Sequence, residues 1–342
     1  CIRDSFYVDK TALMYQMVKT GSYYFLSRPR RFGKSLLIST LEAYFQGKKD
    51  LFEGLAIEKL EKDWIKYPIL HLDLNIEKYD TQESLDKILN DNLEYWESQY
   101  GSRPSETSFS LRFAGIIQRA CEKTGQRVVI LVDEYDKPML QAIGNEELQK
   151  QFRDTLKTFY GALKTKDGCI KFALLTGVTK FGKVSVFSDL NNLDDISMWN
   201  EYIEICGVSE REIHENLETE LHEFAAARGI TYDKLCEELR ECYDGYHFTH
   251  NSIGMYNPFS LLNAFKRKEF GSYWFETGTP TYLVKLLKKH HYDLERMAHE
   301  ETDAQVLNSI DSESTNPIPV IYQSGYLTIK GYDERFGMYR LG

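Results

Sequence analysis

The chain has 342 residues, of which 42% are hydrophobic and 27% are charged, and its formal net charge at pH 7 is −10. This length predicts about two domains with a substantial core, and the composition is that of an ordinary globular protein. The acidic balance argues against non-specific nucleic-acid binding, which needs dense lysine and arginine to displace counterions from phosphates. Nucleic acid is therefore not an expected partner of this chain alone.

The cysteines and the hydropathy of the chain predict where in the cell the protein is located. The six cysteines form no C-x-x-C pair and no metal-ligand spacing with the eight histidines, so we expect reduced thiols rather than disulfides or zinc ligands. No apolar run approaches the ~18 residues of a membrane span, and no signal sequence opens the chain. We expect a cytoplasmic protein without a membrane partner. Both ends look cut, so we also expect part of the function to lie outside this sequence.

The first predicted elements are a strand, a loop and a helix. Residues 23–28, YYFLSR, are short, aromatic and apolar, as in a buried strand. The stretch KSLLISTLEAYFQG predicts a helix that stops at Gly47. Four of its residues share one helical face: Leu37, Leu41, Tyr44 and Phe45.

The loop between them resembles the phosphate-binding pattern G-x-x-x-x-G-K-[ST]. In that pattern, backbone amides at a helix start cradle phosphates, the lysine reaches the β and γ oxygens, and the hydroxyl binds magnesium. Gly33, Lys34 and Ser35 occupy the last three positions, but Arg28 replaces the first glycine. Pro29 would supply a stiff entrance in place of the flexible glycine turn.

The arginines of this loop would add positive charge near the phosphates, and the alternative is a merely solvated basic turn. The candidate nucleotide-binding residues are Arg28, Pro29, Arg30, Arg31, Phe32, Gly33, Lys34, Ser35 and Leu36.

A second apolar run, PILHLDLN (68–75), is followed by a helical stretch over 81–100 and by the run RVVILVDEYD (127–136). Asp133 and Glu134 leave the end of this last predicted strand. Such a carboxylate can hold magnesium directly or through water, and a following glutamate can orient and deprotonate an attacking water. The alternative is a strand that simply ends in an acidic turn.

Further along, a helical stretch over 146–164 precedes the run IKFALLTGV (170–178), which ends near Thr176. A polar side chain on the strand beside the acidic one can sense the γ-phosphate or its water, and we assign Thr176 this catalytic role. Lys180 is a weaker candidate for the same role. The alternative for Thr176 is a capping threonine in a turn.

The apolar runs, with EYIEICGV (201–208) as the last, alternate with helical stretches. Unbroken runs of about five apolar residues suit strands buried on both faces. We therefore predict an α/β fold in which helices cover a parallel sheet, with a P-loop nucleotide-binding domain over residues 1–207.

After residue 208 the pattern changes to helix signals. Ser209 and Glu212 form the capping-box pattern at a helix start, and further helices are predicted at 231–242, 258–268 and 279–290. DSESTNP (311–317) is typical of an exposed loop. A mainly helical lid or C-terminal domain over 208–342 is therefore expected.

Several stretches together resemble the bacterial AAA-ATPase-like family over essentially the whole chain. They are YVDKTALM (7–14), RPRRFGKSLLISTL (28–41), LVDEYDKP (131–138), TGVTKFGKVSVFSDLNNLDDIS (176–197), YDGYHF (243–248), YNPFSLL (256–262) and YWFETGTPTYLV (273–284). The resemblance makes Arg28 through Ser35 the Walker A motif and Asp133 with Glu134 the Walker B motif.

The resemblance implies a P-loop ATPase module of the additional-strand type, followed by a helical lid. In the family this module usually precedes a PD-(D/E)XK-type nuclease domain, which we expect to lie outside this sequence. It also implies ATP and Mg²⁺ as cofactors and ATP or ADP as bound partners. It assigns no chemistry to Tyr243, Tyr246 or Trp274, which we expect to be packing aromatics.

Three functions are compatible with these observations. The first is an ATP-binding, magnesium-dependent ATP-hydrolysing regulatory module that couples nucleotide state to an attached effector. In it, Lys34 binds the β and γ phosphates, Ser35 and Asp133 hold the metal, and Glu134 activates water. The second is a nucleotide-dependent switch with negligible turnover, and the third is a DNA-acting motor or nuclease accessory. A completing arginine would come from the loop itself or from a neighbouring subunit of an oligomer.

Overall fold

A five-stranded parallel sheet is the central element of the protein, whose computed structural model describes residues 7–180, 186–243, 245–273, 284–285, 287–288, 301–308 and 316–342. The strands are β1 (Tyr23–Ser27), β2 (Ile69–Asp73), β3 (Val128–Asp133), β4 (Ile170–Gly177) and β5 (Asp194–Asp195). They lie in the order β2-β3-β4-β1-β5, so β4 separates β1 from β3. One strand inserted at that place is the additional-strand arrangement that the family resemblance implies.

The pairing register brings the carboxyl ends of the strands to one edge of the sheet. Asp73 of β2 pairs with Asp133 of β3, and Leu26 and Ser27 of β1 pair with Thr176 and Gly177 of β4. The polar residues that end β1, β3 and β4 are therefore neighbours, although the chain separates them widely. In open α/β sheets this edge is where ligands bind.

Helices cover both faces of the sheet. Seven described α-helices precede β4: α1 (Thr11–Thr20), α2 (Lys34–Phe45), α3 (Ala56–Leu60), α4 (Gln82–Tyr100), α5 (Phe109–Thr124), α6 (Lys137–Gln141) and α7 (Glu146–Thr165). In β3, Val128, Ile130 and Val132 share a core with α4, α5 and α7, whereas Val129 and Leu131 share one with α1 and α2. This alternation is the two-residue period of a strand buried on both faces. No described helix is long and apolar enough to cross a bilayer.

The strand predicted at 201–208 is wrong. Residues Asn200–Ile205 form 3₁₀ turns, and the edge of the sheet is instead β5. The sequence 201–208 does not distinguish a strand from a helical turn, because the spacing of its buried residues fits both. These residues are Tyr202, Ile203, Ile205 and Cys206. Both residues of β5 are aspartates, so that strand carries no hydrophobic signal.

The predicted helix signals after residue 208 are confirmed where the structure describes them. The Ser209 side chain accepts from the backbone N–H of Glu212, and the Glu212 carboxylate accepts from that of Ser209. The helices are α8 (Glu210–Asn216), α9 (Glu218–Arg228), α10 (Tyr232–Tyr243) and α11 (Pro258–Arg267). Two short strands, β6 (Val208–Ser209) before α8 and β7 (Met255–Tyr256) before α11, pair antiparallel. Of the helix predicted at 279–290, residues 284–285 and 287–288 are described and helical, and the loop predicted at 311–317 lies outside the described residues except for 316–317.

The last segment adds a second sheet. It comprises β8 (Glu301–Asp303), α12 (Ala304–Asn308), α13 (Ile318–Gln323), β9 (Ile329–Asp333) and β10 (Met338–Leu341). The strands are antiparallel in the order β8-β10-β9. Apolar residues of α13 and β9 belong to the same core as one face of the central sheet. The region after 208 is therefore not purely helical, and a domain boundary at 207/208 stays a prediction.

Candidate functional site at the carboxyl edge of the sheet

The arginine-rich loop, residues 28–33, connects β1 to α2 at this edge. Gly33 precedes the helix with φ 98° and ψ 18°, a left-handed conformation that glycine adopts without strain. An added Cβ at Gly33 would meet nothing within 4 Å, so backbone conformation rather than space favours glycine here. In the described chain, the start of α2 has no side-chain cap and no acidic residue in its first turn. Its amides are therefore available to an anion.

Asp133, beside this loop, accepts hydrogen bonds from two hydroxyl groups of other segments. The Ser35 hydroxyl donates to Asp133 Oδ2 at 2.6 Å, and the Thr176 hydroxyl donates to Oδ1 at 2.6 Å. The Asp133 side chain is 4% exposed, and it forms no ion pair with a cationic side chain in the described ranges. A buried carboxylate balanced only by hydroxyl dipoles favours a nearby cation, because burying a charge without a counter-charge is costly.

Lys34 contacts both the arginine-rich loop and the acidic turn, which is residues 134–136 after β3. Its ammonium donates to the carbonyl oxygens of Arg28 at 3.0 Å and Pro29 at 3.4 Å, and lies 3.2 Å from Glu134 Oε1. The Lys34 side chain is buried, whereas that of Glu134 is partly exposed. Glu134 has a φ of 55°, a left-handed conformation that is strained for a residue with a side chain. Such strain is concentrated at functional sites.

Asp136 ties the acidic turn to the end of β4, a role that sequence reasoning missed. Its fully buried carboxylate accepts from the backbone N–H groups of Val178 at 3.2 Å and Thr179 at 2.7 Å, and from the Thr179 hydroxyl at 2.7 Å. Burial, and secondarily the charge of Glu134, raise the pKa of Asp136 to about 6. A Cβ on Gly177 would lie 2.7 Å from Asp136 Oδ1, so this close approach requires glycine. In the sequence, Asp136 is the last residue of DEYD, and the motif that assigns roles to Asp133 and Glu134 assigns none to it.

The three arginines of the loop have different environments. The Arg28 guanidinium is 1% exposed and donates to the carbonyl oxygens of Ser197 at 2.7 Å and Tyr202 at 2.9 Å. Burial lowers the pKa of Arg28. Its side chain is thus engaged by the protein backbone rather than by the loop interior. Arg30 and Arg31 are exposed, and both side chains remain at the surface of the loop.

Comparison with known proteins identifies the family. Residues 2–187 match the family model described as predicted AAA-ATPase. The chain belongs to this AAA-ATPase-like family. It is also 38% identical over 335 residues to an uncharacterised protein from the vnfD 5′ region of Azotobacter chroococcum mcd 1. That match covers 98% of this chain but 62% of the relative, so the chain spans less than two thirds of the relative's length.

Two further predicted site residues of this family member are Phe32, within the arginine-rich loop, and Leu36, just after it. Phe32 is buried, and its ring packs edge-on against Tyr246 at 5.5 Å and Phe248 at 5.8 Å between centroids. Leu36, by contrast, is 52% exposed on the first turn of α2. Phe32 therefore anchors the loop, while Leu36 is accessible to a ligand beside it.

A cavity of about 110 Å³ adjoins the loop on the side of α2. The family stretch at 7–14 supplies Tyr7 and Val8, α2 supplies Leu36 and Leu37, and the region after 206 supplies Gly207 and Val208. Sequence reasoning assigned none of the residues at 7–8 or 207–208 to a site. In the sequence, Tyr7 and Val8 open the stretch YVDKTALM, which indicated the family resemblance but no role in a site.

The packing role predicted for the aromatic residues of YDGYHF is confirmed for Tyr243 and Tyr246, whereas Trp274 lies outside the described residues. Tyr246 stacks on Tyr322 with 5.6 Å between ring centroids, and its hydroxyl donates to the Tyr322 carbonyl at 2.6 Å. The Tyr243 hydroxyl donates to the carbonyl of Gly271 at 3.0 Å. Tyr246 therefore links the loop, through Phe32, to α13.

Lys180, the weaker sensing candidate, is nearly fully buried. Its ammonium lies 2.8 Å from Asp195 Oδ2 at the edge of the sheet. This ion pair joins the segment after β4 to β5. The five described cysteines are free thiols. No group of three or more histidine, cysteine, aspartate or glutamate residues in the described ranges is arranged to hold a metal.

Proposed function

We propose that the chain is an ATP-binding, magnesium-dependent ATP-hydrolysing regulatory module that couples its nucleotide state to an attached effector. The observation that carries this proposal is the Asp133 carboxylate, which two hydroxyls hold without a cationic partner among the described residues. Through Ser35 it contacts the uncapped start of α2, and the next residue, Glu134, lies 3.2 Å from the buried ammonium of Lys34. Membership of the predicted AAA-ATPase family supports the same assignment.

The donor set beside α2 fits magnesium. Ser35 and Asp133 offer a hydroxyl and a carboxylate oxygen, which are hard ligands, and Mg²⁺ usually takes few protein ligands beside waters and substrate phosphates. The bound ion would neutralise charge on the β and γ phosphates. Thr176 holds the other carboxylate oxygen, so in this proposal it orients Asp133 as well as facing the γ-phosphate side.

The phosphates would lie on the backbone N–H groups that follow Pro29, at residues 30–35, with the Lys34 ammonium on the β and γ oxygens. Arg28 and Pro29 contribute their carbonyl oxygens, which position Lys34. The exposed side chains of Arg30 and Arg31 are the loop's candidates for a direct charge contact, and an arginine from a neighbouring subunit of an oligomer is the alternative. We assign the Arg28 guanidinium a structural role.

The cavity beside the loop would hold the nucleotide base. Its described lining is largely apolar, and residues from both predicted domains contribute to it, including Leu37 before residue 207 and Val208 and Pro258 after it. A planar base in this cavity would contact both predicted domains. The C-terminal region would then act as a lid whose closure differs between bound ATP and bound ADP. The choice of adenine rests on family membership alone.

Glu134 would activate the attacking water, because it follows the metal-binding carboxylate and is partly exposed. The effector is proposed to be a nuclease-like domain in a longer protein. The free thiols of the described cysteines suit a cytoplasmic setting, which is also part of the proposal.

One contact favours the alternative of a nucleotide-dependent switch with negligible turnover. Glu134 Oε1 lies 3.2 Å from Lys34 Nζ, so the proposed base is paired with the proposed phosphate-binding lysine. If that ion pair persists with nucleotide bound, the carboxylate accepts a proton poorly, because an adjacent cation stabilises its charged form. Bound nucleotide would then be hydrolysed slowly.

The test is magnesium-dependent ATP binding and turnover by the chain, compared with Lys34→Ala. Lys150→Ala, which removes an exposed lysine of α7, is the matched control. We expect Lys34→Ala to abolish tight binding and Lys150→Ala to leave it unchanged. Turnover then separates the ATPase from the switch. Equal, weak binding by the chain and by Lys34→Ala would refute both forms of the proposal for this chain.

A further inference from the structure

A second cavity, of about 200 Å³, adjoins the arginine-rich loop from the side of the C-terminal region. Its lining includes loop residues 29–32, residues around the end of α10 (Cys242, Tyr243, Gly245 and Tyr246), Met255 with Asn257 and Ser260 at the start of α11, and residues between 324 and 330 with Gly342. The Asn257 side chain donates to the carbonyl of Arg30 at 3.1 Å, which fixes the loop against α11. Phe32 lines this cavity and the first one.

The side-chain charges around this second cavity are of one sign. Arg30, Arg31 and Lys330 line it, and no aspartate or glutamate is among its described lining residues. This is unusual in a chain whose formal net charge is −10. Lys330 is exposed on β9 and forms no ion pair within the described part of the chain. A concave surface lined by cations attracts and concentrates anions.

The lining also contains the start of a helix and an unused hydroxyl. The ten-residue helix α11 begins at this cavity, and the partial positive charge of its N-terminus favours an anion. Ser260, in its first turn, is 0% exposed, and its hydroxyl has no hydrogen-bond partner among the described residues. A buried hydroxyl without a partner costs free energy, so a ligand that accepts its proton would remove that cost.

We propose that this second cavity is a binding site for an oxyanion, the phosphate or carboxylate group of a small molecule. Lys330 and the exposed loop arginines supply the charge, and the Ser260 hydroxyl donates a hydrogen bond that fixes the orientation of the group. The cavity shares Arg30, Arg31 and Phe32 with the proposed nucleotide-binding loop, but Ser260 and Lys330, which distinguish it, do not line the first cavity. The oxyanion proposal does not require that the chain hydrolyse ATP.

The test titrates inorganic pyrophosphate and, separately, citrate into the Lys34→Ala chain by calorimetry. Lys34→Ala removes the proposed phosphate ligand of the first site, and a short neutral extension after Gly342 keeps a terminal carboxylate out of the cavity lining. We expect one of the two probes, or both, to bind at a single site. Binding of pyrophosphate alone indicates a phosphate compound, and binding of citrate alone indicates a carboxylate.

Substitutions then locate the site. Lys330→Gln should weaken binding about tenfold, the usual effect of losing one charged hydrogen bond, and Ser260→Ala should weaken it several-fold. Lys150→Gln, which removes an exposed lysine elsewhere, should leave binding unchanged. Absence of binding by both probes, or equal weakening by Lys330→Gln and Lys150→Gln, would overturn the proposal.

A second measurement applies if Lys34→Ala does not fold, as judged by circular dichroism. The unsubstituted chain with the same neutral extension should bind pyrophosphate at two sites, one of which Lys330→Gln weakens about tenfold. A single site that Lys330→Gln leaves intact would equally overturn the proposal.

Discussion

The Ser35 hydroxyl lies 2.6 Å from the Asp133 carboxylate, although the two residues are 98 positions apart in the chain. The contact exists because α2 begins where β1 ends, and β3 ends at the same edge of the sheet. The two side chains that the sequence suggested as magnesium ligands are therefore neighbours.

Replacing Asp133 should uncouple ATP binding from magnesium. Asp133→Asn keeps the shape and one acceptor oxygen but removes the charge, so the gain in ATP affinity on adding Mg²⁺ should fall about tenfold or more. ATP titrations with and without Mg²⁺ measure this gain. Asp73→Asn is the matched control, because Asp73 ends the neighbouring strand in register with Asp133 and accepts from the Asn75 N–H at 2.7 Å. An Asp133→Asn chain with the original magnesium dependence would exclude Asp133 as a ligand.

Replacing Glu134 should separate turnover from binding. Glu134→Gln removes the proposed general base and also its charge beside Lys34. Turnover should fall about 100-fold or more, while ATP affinity should stay equal or increase. Steady-state phosphate release and equilibrium ATP binding give the two quantities. The control is Glu147→Gln, an exposed glutamate of α7. Normal hydrolysis by Glu134→Gln would show that another group activates the water.

Replacing Arg28 should reduce stability. Its guanidinium donates to the carbonyls of Ser197 and Tyr202 and lies 3.9 Å from the centroid of the Phe248 ring, and it is almost completely buried. Arg28→Ala would remove the donor to these two carbonyls and to that of Ser27 and leave a cavity in the core, so we expect the free energy of unfolding to fall by about 3 kcal/mol.

Denaturant unfolding monitored by circular dichroism measures that change. Arg30→Ala, in the same loop but exposed, is the control, and it should change the free energy of unfolding by less than about 1 kcal/mol. Similar losses for the two variants would mean that burial of Arg28 does not stabilise the loop.

The raised pKa of Asp136, about 6, predicts a pH dependence of stability. Between about pH 4 and pH 6 the folded chain holds a proton on Asp136 that the unfolded chain has lost, so the free energy of unfolding falls as pH rises through this window. Above it this contribution is constant. The size of the effect is about 3 kcal/mol, from the shift between the unfolded value and about 6.

Asp136→Asn isolates this contribution, because the amide does not titrate. The difference in free energy of unfolding, wild type minus Asp136→Asn, should decrease from pH 4 to pH 6 and then level off. Urea denaturation at several pH values gives this difference. A difference that stays constant over the whole range would mean that Asp136 titrates normally in the folded chain.

Local sequence patterns were sufficient for much of the fold and for the centre of the candidate site. Four strands of the central sheet were predicted, because runs such as VVILVD are apolar at every position, as strands buried on both faces must be. Gly33, Lys34 and Ser35 at a helix start, and Asp133 at a strand end, are features of short segments. Their positions follow once the strands are known to be parallel.

Other features depend on contacts between distant segments. The edge strand β5 has two residues and no hydrophobic pattern, so only its pairing with β1 makes it a strand. The side chain of Arg28 was expected beside phosphates, yet it donates to carbonyls more than 160 residues away, with sequence separations of 169 and 174. No local pattern distinguishes a buried arginine from an exposed one.

The same limit applies to Asp136, Tyr246 and the second cavity. Asp136 binds the segment after β4, and Tyr246 packs on Phe32 and Tyr322, which belong to opposite ends of the chain. Hydrophobic period and motif spacing report on neighbours within a few residues, and so they predict helices, strands and the loop between them. The partners of buried charges and the walls of cavities are set by which distant segments pack together, and that is decided only when the whole chain folds.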